Sequence, residues 1–379
     1  GDTAGNTRVT VNEFFFWRLR SLLGRLGRLL LPVRERPVRR ILCIVCGGIG
    51  DRLLTLPAIR FLRQKHPNAH LCVAWFEGES PQIAPEFDEE LSFSRNEVLP
   101  KLRLALRGFD LCFVNTIGVY RIVADACAFL SRARVRIGPR AGGWGGVSIY
   151  NRPYEGGREH ETVLQARAVG WSGAETMLPY TTPRPMQDRT PHSQQPETPS
   201  RLVAVHVGSA PGYEMKRWAA SHYRELLAHL MSDTAVQIAL LGSEQERELM
   251  NAIAPASSAR VVVLSGVAEW VGHLTQCRLL VGNDSGPAHL AAALGIPVLV
   301  IMSPTDPARC QPVGACVRVV YRACRIGSCY YNPSPCLRCI DSIQPQEVAS
   351  AVANVLAGRA GDVRRRPDAA ILCDSRETC

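Results

Sequence analysis

Three stretches of the sequence place glycines beside charged or polar side chains, and each could bind an anion. The first is Gly47-Gly-Ile-Gly-Asp51, which lies between an apolar run and a helix-like run. Glycines let the backbone approach a ligand, and a helix start offers unpaired N–H groups. The stretch lacks both the dinucleotide-binding glycine spacing and the Gly-Lys-Ser/Thr of a P-loop. Asp51 stands where open α/β sheets hold their ligands, with a helix N-cap as its alternative role.

The second stretch runs from Ser209 to Lys216-Arg-Trp218, after another apolar run. Lys occurs only at positions 65, 101 and 216, whereas Arg is abundant, so a Lys in this loop is notable. A loop that carries Lys, Arg and an aromatic side chain suits an anionic ligand, and Lys216 could act as a compact charge against a phosphate. The alternative is a solvated loop cation.

The third stretch is Gly282-Asn-Asp-Ser-Gly-Pro-Ala-His289, where an apolar run again meets a helix-like run. Asp284 and Ser285 stand at the mouth, Gly286 permits close approach of a ligand, and His289 follows one turn into the helix. A diphosphate here would meet backbone N–H groups and the positive end of the helix dipole. Taken singly, these residues could equally be caps or a buried polar core residue. Together they favour a ligand site.

The cysteines fall into two groups. Cys43, Cys72 and Cys112 lie inside apolar runs and are predicted to be reduced, buried, small hydrophobic residues. Four others lie in a segment rich in Pro, Tyr and Gly: Cys324, Cys329, Cys336 and Cys339. The last two have the spacing of a metal knuckle, so a structural zinc or iron site with four thiolates is one interpretation. Reduced cysteines in a packed loop are the other.

The elements that position these stretches are predicted from alternating apolar runs and helix-length segments. The runs lie at 41–46, 71–76, 111–114, 202–207, 236–241, 261–264, 279–281 and 297–302. Such alternation indicates parallel, doubly wound sheets, and a chain of 379 residues has room for two domains. The predicted fold class is therefore α/β, with two Rossmann-like domains.

Changes in composition along the chain predict the domain boundaries. We expect a basic N-terminal extension over 1–39, a first domain over 40–180 and a Pro-rich linker over 181–200. A second domain follows over 201–357, with a Cys-rich loop at 310–340 and then a mobile tail over 358–379.

The positive charge of the chain, +10 in total, is concentrated near its N-terminus, where residues 1–40 hold nine Arg and three acidic residues. Residues 14–31 form a predicted basic amphipathic helix, which either lies on an anionic membrane surface or packs on protein. Nucleic-acid binding is disfavoured because the charge is local and lacks a stacking platform. The chain shows no secretory signal and no apolar stretch of about 18 residues, so we expect a cytoplasmic protein, peripheral on the inner face of the inner membrane if the helix binds lipid.

Taken together, these stretches resemble glycosyltransferase family 9, the ADP-heptose:lipopolysaccharide heptosyltransferases. The resemblance extends from about residue 40 to 356 and is carried by ILCIVCGGIGDRLLTLPAIRFLRQKHP, VHVGSAPGYEMKRW, LLGSEQE, VGNDSGPAHLAAALGIPVLVIMSPTDP and IQPQEV. It implies the GT-B architecture, with the acceptor on the first domain and the nucleotide sugar on the second. It also implies inversion at the anomeric carbon without a catalytic metal.

The resemblance further implies roles for individual residues. Asp51 is similar to the general base of the family, and Lys216 to the lysine that neutralises the departing diphosphate. Gly48 and Gly50 would form the acceptor-side loop. The donor site would comprise Ser209, Lys216, Trp218, Glu244, Asp284, Ser285, Gly286 and His289. Glu246 and Glu244 are equally good matches to the acidic residue of the donor site.

Two departures from the family pattern leave the acceptor open. Gly47 and Gly48 stand where the lipopolysaccharide enzymes usually carry a Ser-containing turn, and the basic segment before residue 40 is unusual. The expected partners are ADP-heptose or a related nucleotide sugar and an acidic lipid-linked acceptor. A protein acceptor is the alternative, because a subgroup of the family glycosylates autotransporters and carries cysteine-bound iron. A non-catalytic member used in assembly is a third hypothesis.

Overall fold

The computed structural model describes residues 37–76, 78–81, 87–94, 96–115, 121–140, 149–157, 159–173, 202–231, 236–254, 259–324 and 338–357. The predicted helix over 14–31, the linker over 181–200 and the tail over 358–379 lie outside these residues. So do Cys329 and Cys336. These predictions therefore stay predictions.

The first sheet contains six parallel strands. They are β1 Arg40–Val45, β2 His70–Phe76, β3 Glu89–Phe93, β4 Leu111–Val114, β5 Val135–Pro139 and β6 Arg152–Tyr154. Their spatial order is β3-β2-β1-β4-β5-β6.

The second sheet repeats this plan. Its strands are β7 Leu202–His206, β8 Gln237–Gly242, β9 Ala259–Val263, β10 Leu279–Asn283, β11 Val298–Met302 and β12 Val317–Tyr321. All of its strand pairs are parallel, and the spatial order is β12-β11-β10-β7-β8-β9.

The helices of the first domain are α1 Ile49–Lys65, α2 Val98–Ala105, α3 Arg121–Leu130 and α4 Glu161–Ala168. Those of the second domain are α5 Ala220–Met231, α6 Arg247–Ile253, α7 Gly266–Leu274, α8 Gly286–Ala293, α9 Pro307–Cys310, α10 Arg338–Asp341 and α11 Pro345–Leu356. Short 3-10 turns cover Glu214–Lys216 and Glu244–Glu246. Among the described residues, no helix has the length and apolar character needed to cross a membrane.

The central strands are nearly continuous apolar runs because helices cover both faces of each sheet. Residues 41–45 of β1 and all of β10 and β11 are buried. Cys43, Cys72 and Cys112 are free and buried in the first sheet, which confirms their prediction as small core residues. The predicted α/β fold with two doubly wound domains is also confirmed.

The strand order places the ligand-binding edge of each sheet at a definite point. In the first domain the direction of winding reverses between β1 and β4, and in the second it reverses between β7 and β10. Open α/β sheets bind ligands outside the carboxyl ends of the strands at such points. The turns after β1, β7 and β10 are the three stretches that the sequence singles out.

The two domains pack directly against one another through α1 and α8. One apolar cluster continues from Val45 and Leu53 in the first domain to Ala288, Leu290 and Val300 in the second. Polar contacts between the two domains lie around this apolar cluster. The Arg309 guanidinium pairs with Glu161, His160 Nε2 lies 3.0 Å from the Gln311 carbonyl, and Val267 N donates to Glu79 Oε2 over 3.1 Å. The turns after β1 and β10 are thereby brought together at the domain junction.

Candidate active site

The N-termini of α1 and α8 meet at the domain junction with almost no space between them. A Cβ atom at Gly286 would lie 2.0 Å from Cγ2 of Ile49, and one at Gly50 would lie 3.0 Å from Cδ2 of His289. Glycine is therefore required at position 286 for this close approach. Because both helix starts carry partial positive charge, the junction is an electrostatically favourable place for an anion.

The turn after β1 holds Asp51 in a fixed orientation. Gly47 has a φ of 101°, which favours glycine, and a Cβ atom there would lie 2.5 Å from Asp51 Oδ2. That oxygen accepts a hydrogen bond of 2.9 Å from Gly48 N, as in a capping box. Asp51 thus performs the N-cap-like role that was its alternative, while no described residue hydrogen-bonds its Oδ1. One carboxylate oxygen orients the group and the other is available to a ligand.

The electrostatic surroundings of Asp51 include the second domain. Water reaches its side chain, which is exposed, yet protein atoms crowd around the carboxylate at the junction. This partial desolvation raises the pKa of Asp51 above its usual range, against the opposing effects of Gly48 N–H, His289 and Lys216. A carboxylate with a raised pKa is a better proton acceptor than an ordinary one.

Asp284, in the turn after β10, forms a largely buried ion pair with Lys216 from the loop after β7. Lys216 Nζ lies 2.7 Å from Asp284 Oδ2, and the hydroxyl of Thr305 donates to the same oxygen over 2.7 Å. His289 Nε2 lies 3.7 Å from the other oxygen, Oδ1. The Asp284 and His289 side chains are 4% and 7% exposed, so this cluster forms the floor of the site. Thr305 was not predicted, since its distance in sequence hides the contact.

The ion pair stabilises the charged forms of both partners. Burial raises the pKa of Asp284, but the charges and hydrogen bonds of Lys216 and His289 outweigh it, and the net result is a pKa well below the usual range. Burial likewise lowers the pKa of Lys216, and Asp284 more than compensates, so that pKa is raised. Lys216 is therefore a permanent cation at this junction. Its ammonium places a fixed positive charge beside the start of α8.

The loop after β7 is fastened by Asn283, the last residue of β10. Its side chain donates to the carbonyls of Val207 and Gly208, and its Oδ1 accepts from Trp218 N over 3.1 Å. Trp218 is 2% exposed and its indole N–H donates to the Ile343 carbonyl, so the structure places it in the core and not at the mouth of the site. Trp218 therefore supports the loop from inside the domain.

Ser209 is also an internal support of this loop. Its hydroxyl donates to the Tyr213 carbonyl over 2.9 Å and accepts from Arg217 Nε over 3.0 Å. The loop therefore presents Lys216 to the junction, whereas Ser209 maintains the loop conformation.

The structure distinguishes the two acidic residues after β8. Glu244 is exposed and pairs with Arg247 in its own turn. Glu246 is nearly buried, and its Oε1 lies 3.2 Å from Nε2 of His206, at the end of β7. Of the two candidates, Glu246 is the one that the fold connects to the site. His206 had no signal in the sequence because a single His at the end of an apolar strand has no distinctive spacing.

The Cys-rich loop is described only at its ends. Cys324 and Cys339 are partly buried, whereas Cys329 and Cys336 lie outside the described residues. Within the residues that the structure covers, no three His, Cys, Asp or Glu side chains group as a metal site. The four-cysteine site stays a prediction.

The assembled geometry joins a proton acceptor to an anion site. Asp51 supplies an oriented carboxylate from the first domain, and the second supplies Lys216, the start of α8 and the polar groups of Ser285 and His289. Such a pairing suits a reaction in which a hydroxyl loses its proton while an anionic group departs.

Comparison with known proteins places the sequence beside enzymes of one kind. The profile of glycosyltransferase family 9 (heptosyltransferase) matches residues 126–337. Lipooligosaccharide heptosyltransferase 2 of Haemophilus influenzae is 30% identical over an alignment of 306 residues, and the match covers 72% of this chain and 86% of the relative. Lipopolysaccharide heptosyltransferase 2 of Escherichia coli K12 is 33% identical over 124 residues. That match covers 30% of this chain and about a third, 35%, of the relative's length.

Solved structures show the same fold. The E. coli ADP-heptose lps heptosyltransferase II superposes with a TM-score of 0.62 at 20% identity, over 84% of this chain and 99% of that one. The dodecameric iron-containing heptosyltransferase TibC of enterotoxigenic E. coli, in complex with ADP-D-beta-D-heptose, gives 0.56 at 14% identity. There the superposition covers 86% of this chain and 78% of the TibC chain.

Proposed function

Because the chain belongs to glycosyltransferase family 9, the heptosyltransferase family, we propose that it transfers heptose from ADP-heptose to an acceptor of the lipopolysaccharide-core type. The observation that carries the proposal is the position of Asp51. Its carboxylate lies at the domain junction, within the electrostatic influence of Lys216, Asp284 and His289 of the other domain. Relatives and structural neighbours that are named as heptosyltransferases support the choice of sugar.

The donor would bind to the second domain with its diphosphate at the start of α8. The helix start offers the Gly286 N–H together with the dipole. Ser285 is half-buried and contributes a hydroxyl at the same point. Lys216 would present its positive charge to the phosphates, while Asp284, itself held by the Thr305 hydroxyl, fixes the position of that charge.

The acceptor would bind on the side of Gly48 and Gly50, with its hydroxyl at Asp51 Oδ1. Asp51 removes the hydroxyl proton while the oxygen forms a bond to the anomeric carbon of heptose. The bond from that carbon to the diphosphate oxygen breaks, and its electron pair leaves with ADP. Since attack and departure occur on opposite faces, the anomeric configuration inverts. Lys216 and the start of α8 stabilise the charge that develops on ADP, so we expect transfer without a catalytic metal.

A transfer assay tests the proposal directly. Purified protein is incubated with ADP-heptose, ADP-glucose and UDP-glucose, each with lipopolysaccharide-core lipid and with an autotransporter fragment. ADP release and sugar incorporation are measured with and without a metal chelator. Transfer from ADP-heptose to the core lipid is expected, unchanged by the chelator. Transfer only to the protein would favour the alternative acceptor, and donor binding without any transfer would favour the non-catalytic hypothesis.

A further inference from the structure

Three side chains from three neighbouring strands form a hydrogen-bonded row beneath the start of α8. His206 ends β7, Glu246 closes the turn after β8, and Ser285 follows β10. Ser285 Oγ lies 3.0 Å from His206 Nδ1, and His206 Nε2 lies 3.2 Å from Glu246 Oε1. We refer to Ser285, His206 and Glu246 as the Ser-His-Glu row. It connects the surface of the candidate donor site to a carboxylate inside the domain.

The inner end of the row is rigidly held. Glu246 Oε2 accepts hydrogen bonds from both the backbone N–H and the hydroxyl of Ser243, over 2.7 and 2.9 Å. A Cβ atom at Gly208 would lie 1.4 Å from Glu246 Oε1, so position 208 requires glycine. The ring of Trp270 packs edge-on against the His206 ring. Neither His206 nor Glu246 can rotate away without disturbing this packing.

The outer end of the row departs from the usual behaviour of an N-cap serine. Ser285 is the N-cap residue of α8, yet its side chain makes no capping hydrogen bond. Its hydroxyl is turned toward His206 and lies 3.2 Å from the Asn283 carbonyl. The N–H of Gly286 consequently stays available to an anion with the hydroxyl held beside it, whereas Pro287 has no N–H and the Ala288 N–H donates to the Ser285 carbonyl over 3.1 Å.

The hydrogen atoms of the Ser-His-Glu row can be arranged in two ways. Burial raises the pKa of Glu246, but the hydrogen bond and electrostatic effect of His206, together with the hydrogen bonds of Ser243, outweigh it and lower the pKa to about 2, so at neutral pH Glu246 only accepts hydrogen bonds. His206 Nε2 must therefore carry a hydrogen. If the imidazole is neutral, its Nδ1 carries no hydrogen and accepts a hydrogen bond from the Ser285 hydroxyl. The Ser285 oxygen then presents only lone pairs to the junction.

The second state reverses the bond between Ser285 and His206. If Nδ1 carries a hydrogen, it donates to Ser285 Oγ, and the hydroxyl hydrogen is released to another acceptor. The second state suits an anionic ligand, because a phosphate oxygen needs a donor. The charge of the imidazolium is balanced by Glu246.

We propose that the Ser-His-Glu row couples donor binding to proton uptake: when the diphosphate binds at α8, His206 takes a proton from solvent at Nδ1 and Ser285 donates its hydroxyl hydrogen to a phosphate oxygen. His206 and Glu246 are positioning residues that act through Ser285. The proton that forms the new N–H bond at Nδ1 comes from solvent, and the O–H bond of Ser285 stays intact. This inference rests on the proposed function, since it assumes that the ligand is a nucleotide sugar.

Apart from Glu246, the described groups that surround His206 carry no charge that would complicate a count of the protons taken up. Gly282 on β10 faces it without a side chain, Tyr223 from α5 reaches only its carbonyl oxygen, and Trp270 from α7 is neutral. Among the described residues, Glu246 is the one charged side chain in contact with the ring. A change in proton uptake on altering His206 can therefore be assigned to the row.

The test is calorimetric titration with ADP-heptose, whose diphosphate does not ionise near neutrality. Binding heats are compared in buffers of different ionisation enthalpy, over about pH 6 to about 8, where histidine titrates. Wild type is expected to take up a fraction of one proton that depends on pH. His206→Gln should lose that uptake and bind about tenfold more weakly, as for one lost charge-assisted hydrogen bond. Ser285→Ala, which leaves the buried pair intact, should lose the uptake as well.

His229→Gln is the matched control, because His229 pairs with Glu225 on the exposed outer face of α5. It should bind and take up protons as wild type does. Proton uptake equal to wild type in a folded Ser285→Ala variant that still binds would overturn the inference. Failure of wild type to bind ADP-heptose at all would instead overturn the proposed function.

Discussion

The turns after β1 and after β10 have the same local construction and opposite electrostatics. Each leads from a buried central strand through glycine-containing backbone into a helix, and each places one Asp at the domain junction. Crowding by protein atoms raises the pKa of Asp51, which forms no salt bridge with any described residue. Asp284 is more deeply buried, which raises its pKa, but the charges and hydrogen bonds of Lys216 and His289 outweigh burial, so that its pKa is lowered.

This difference shows that neighbouring charges, rather than burial, decide what a carboxylate does. Asp51 has an oxygen available to a hydroxyl and suits proton transfer. Asp284 is already engaged by its partners, and it is suited to holding the Lys216 cation in place. When the environments of two acids push their pKa values apart, their roles can be distinguished.

Removal of the Asp51 carboxylate is expected to have the largest effect on catalysis. Asp51→Asn keeps the size of the side chain and an oxygen for Gly48 N–H but cannot accept the hydroxyl proton. We expect kcat to fall by at least about 100-fold, the usual contribution of a general base. Donor affinity should stay close to that of wild type, because the donor would bind to the other domain. Steady-state kinetics and calorimetry measure the two quantities. Turnover equal to wild type would remove Asp51 from the mechanism.

Asp284→Asn is expected to affect stability more than Asp51→Asn does. The change leaves Lys216 partly buried without its counter-charge, which costs about 3 kcal/mol of unfolding free energy. Urea denaturation at neutral pH measures the loss. Lys216→Met is the matched control, since the double variant Asp284→Asn/Lys216→Met should lose less than the sum of the single variants. Strict additivity would show that the ion pair contributes nothing.

The two aspartates should also differ in how stability depends on pH. The folded pKa of Asp284 is lowered, so its contribution is present above its unfolded pKa and is lost as pH falls toward the folded value. The deficit of Asp284→Asn should therefore shrink in acid. The folded pKa of Asp51 is raised, so its stabilising protonated form is lost as pH rises through the folded value. Asp51→Asn should show the opposite trend, and parallel pH profiles for the two variants would contradict the comparison.

The contact between the two turns can be tested by overpacking. Gly286→Ala places a methyl group against Ile49 and should oppose the present approach of α1 and α8 by about 2 kcal/mol, or roughly 30-fold in kcat/KM. The double variant with Ile49→Ala should recover most of the activity, since it removes the clashing methyl group. Lack of recovery would show that Gly286 serves donor binding and not domain contact.

The smallest effect is expected for Glu244→Ala. Glu244 is exposed and forms its ion pair with a neighbour in the same turn, so kcat/KM should stay within about twofold of wild type. Glu246→Ala is the contrasting variant, because it breaks the Ser-His-Glu row. If Glu244→Ala lost donor affinity and Glu246→Ala did not, Glu244 and not Glu246 would be the residue connected to the site.

The sequence predicted the fold better than the connections within the site. All eight apolar runs became strands of the two sheets, because a strand buried on both faces must be apolar along its length. Strands β3, β5, β6 and β12 were not predicted; β3 is an edge strand with alternating burial, and β6 has only three residues. For the site, Asp51, Lys216, Asp284, Ser285, Gly286 and His289 were selected and the structure brings them together at one junction.

What the sequence determined by itself was local: apolar runs fix strands, and glycines followed by Asp fix the turns that open two helices. Which of the polar residues would contact one another was decided only by the tertiary structure. Thr305, His206 and Glu246 reach the site because parallel strands bring distant turns to one edge of a sheet. Trp218 enters the core because its indole N–H finds an acceptor on Ile343. The opposite pKa shifts of Asp51 and Asp284 arise in the same way, since a charge acts through space and not along the chain.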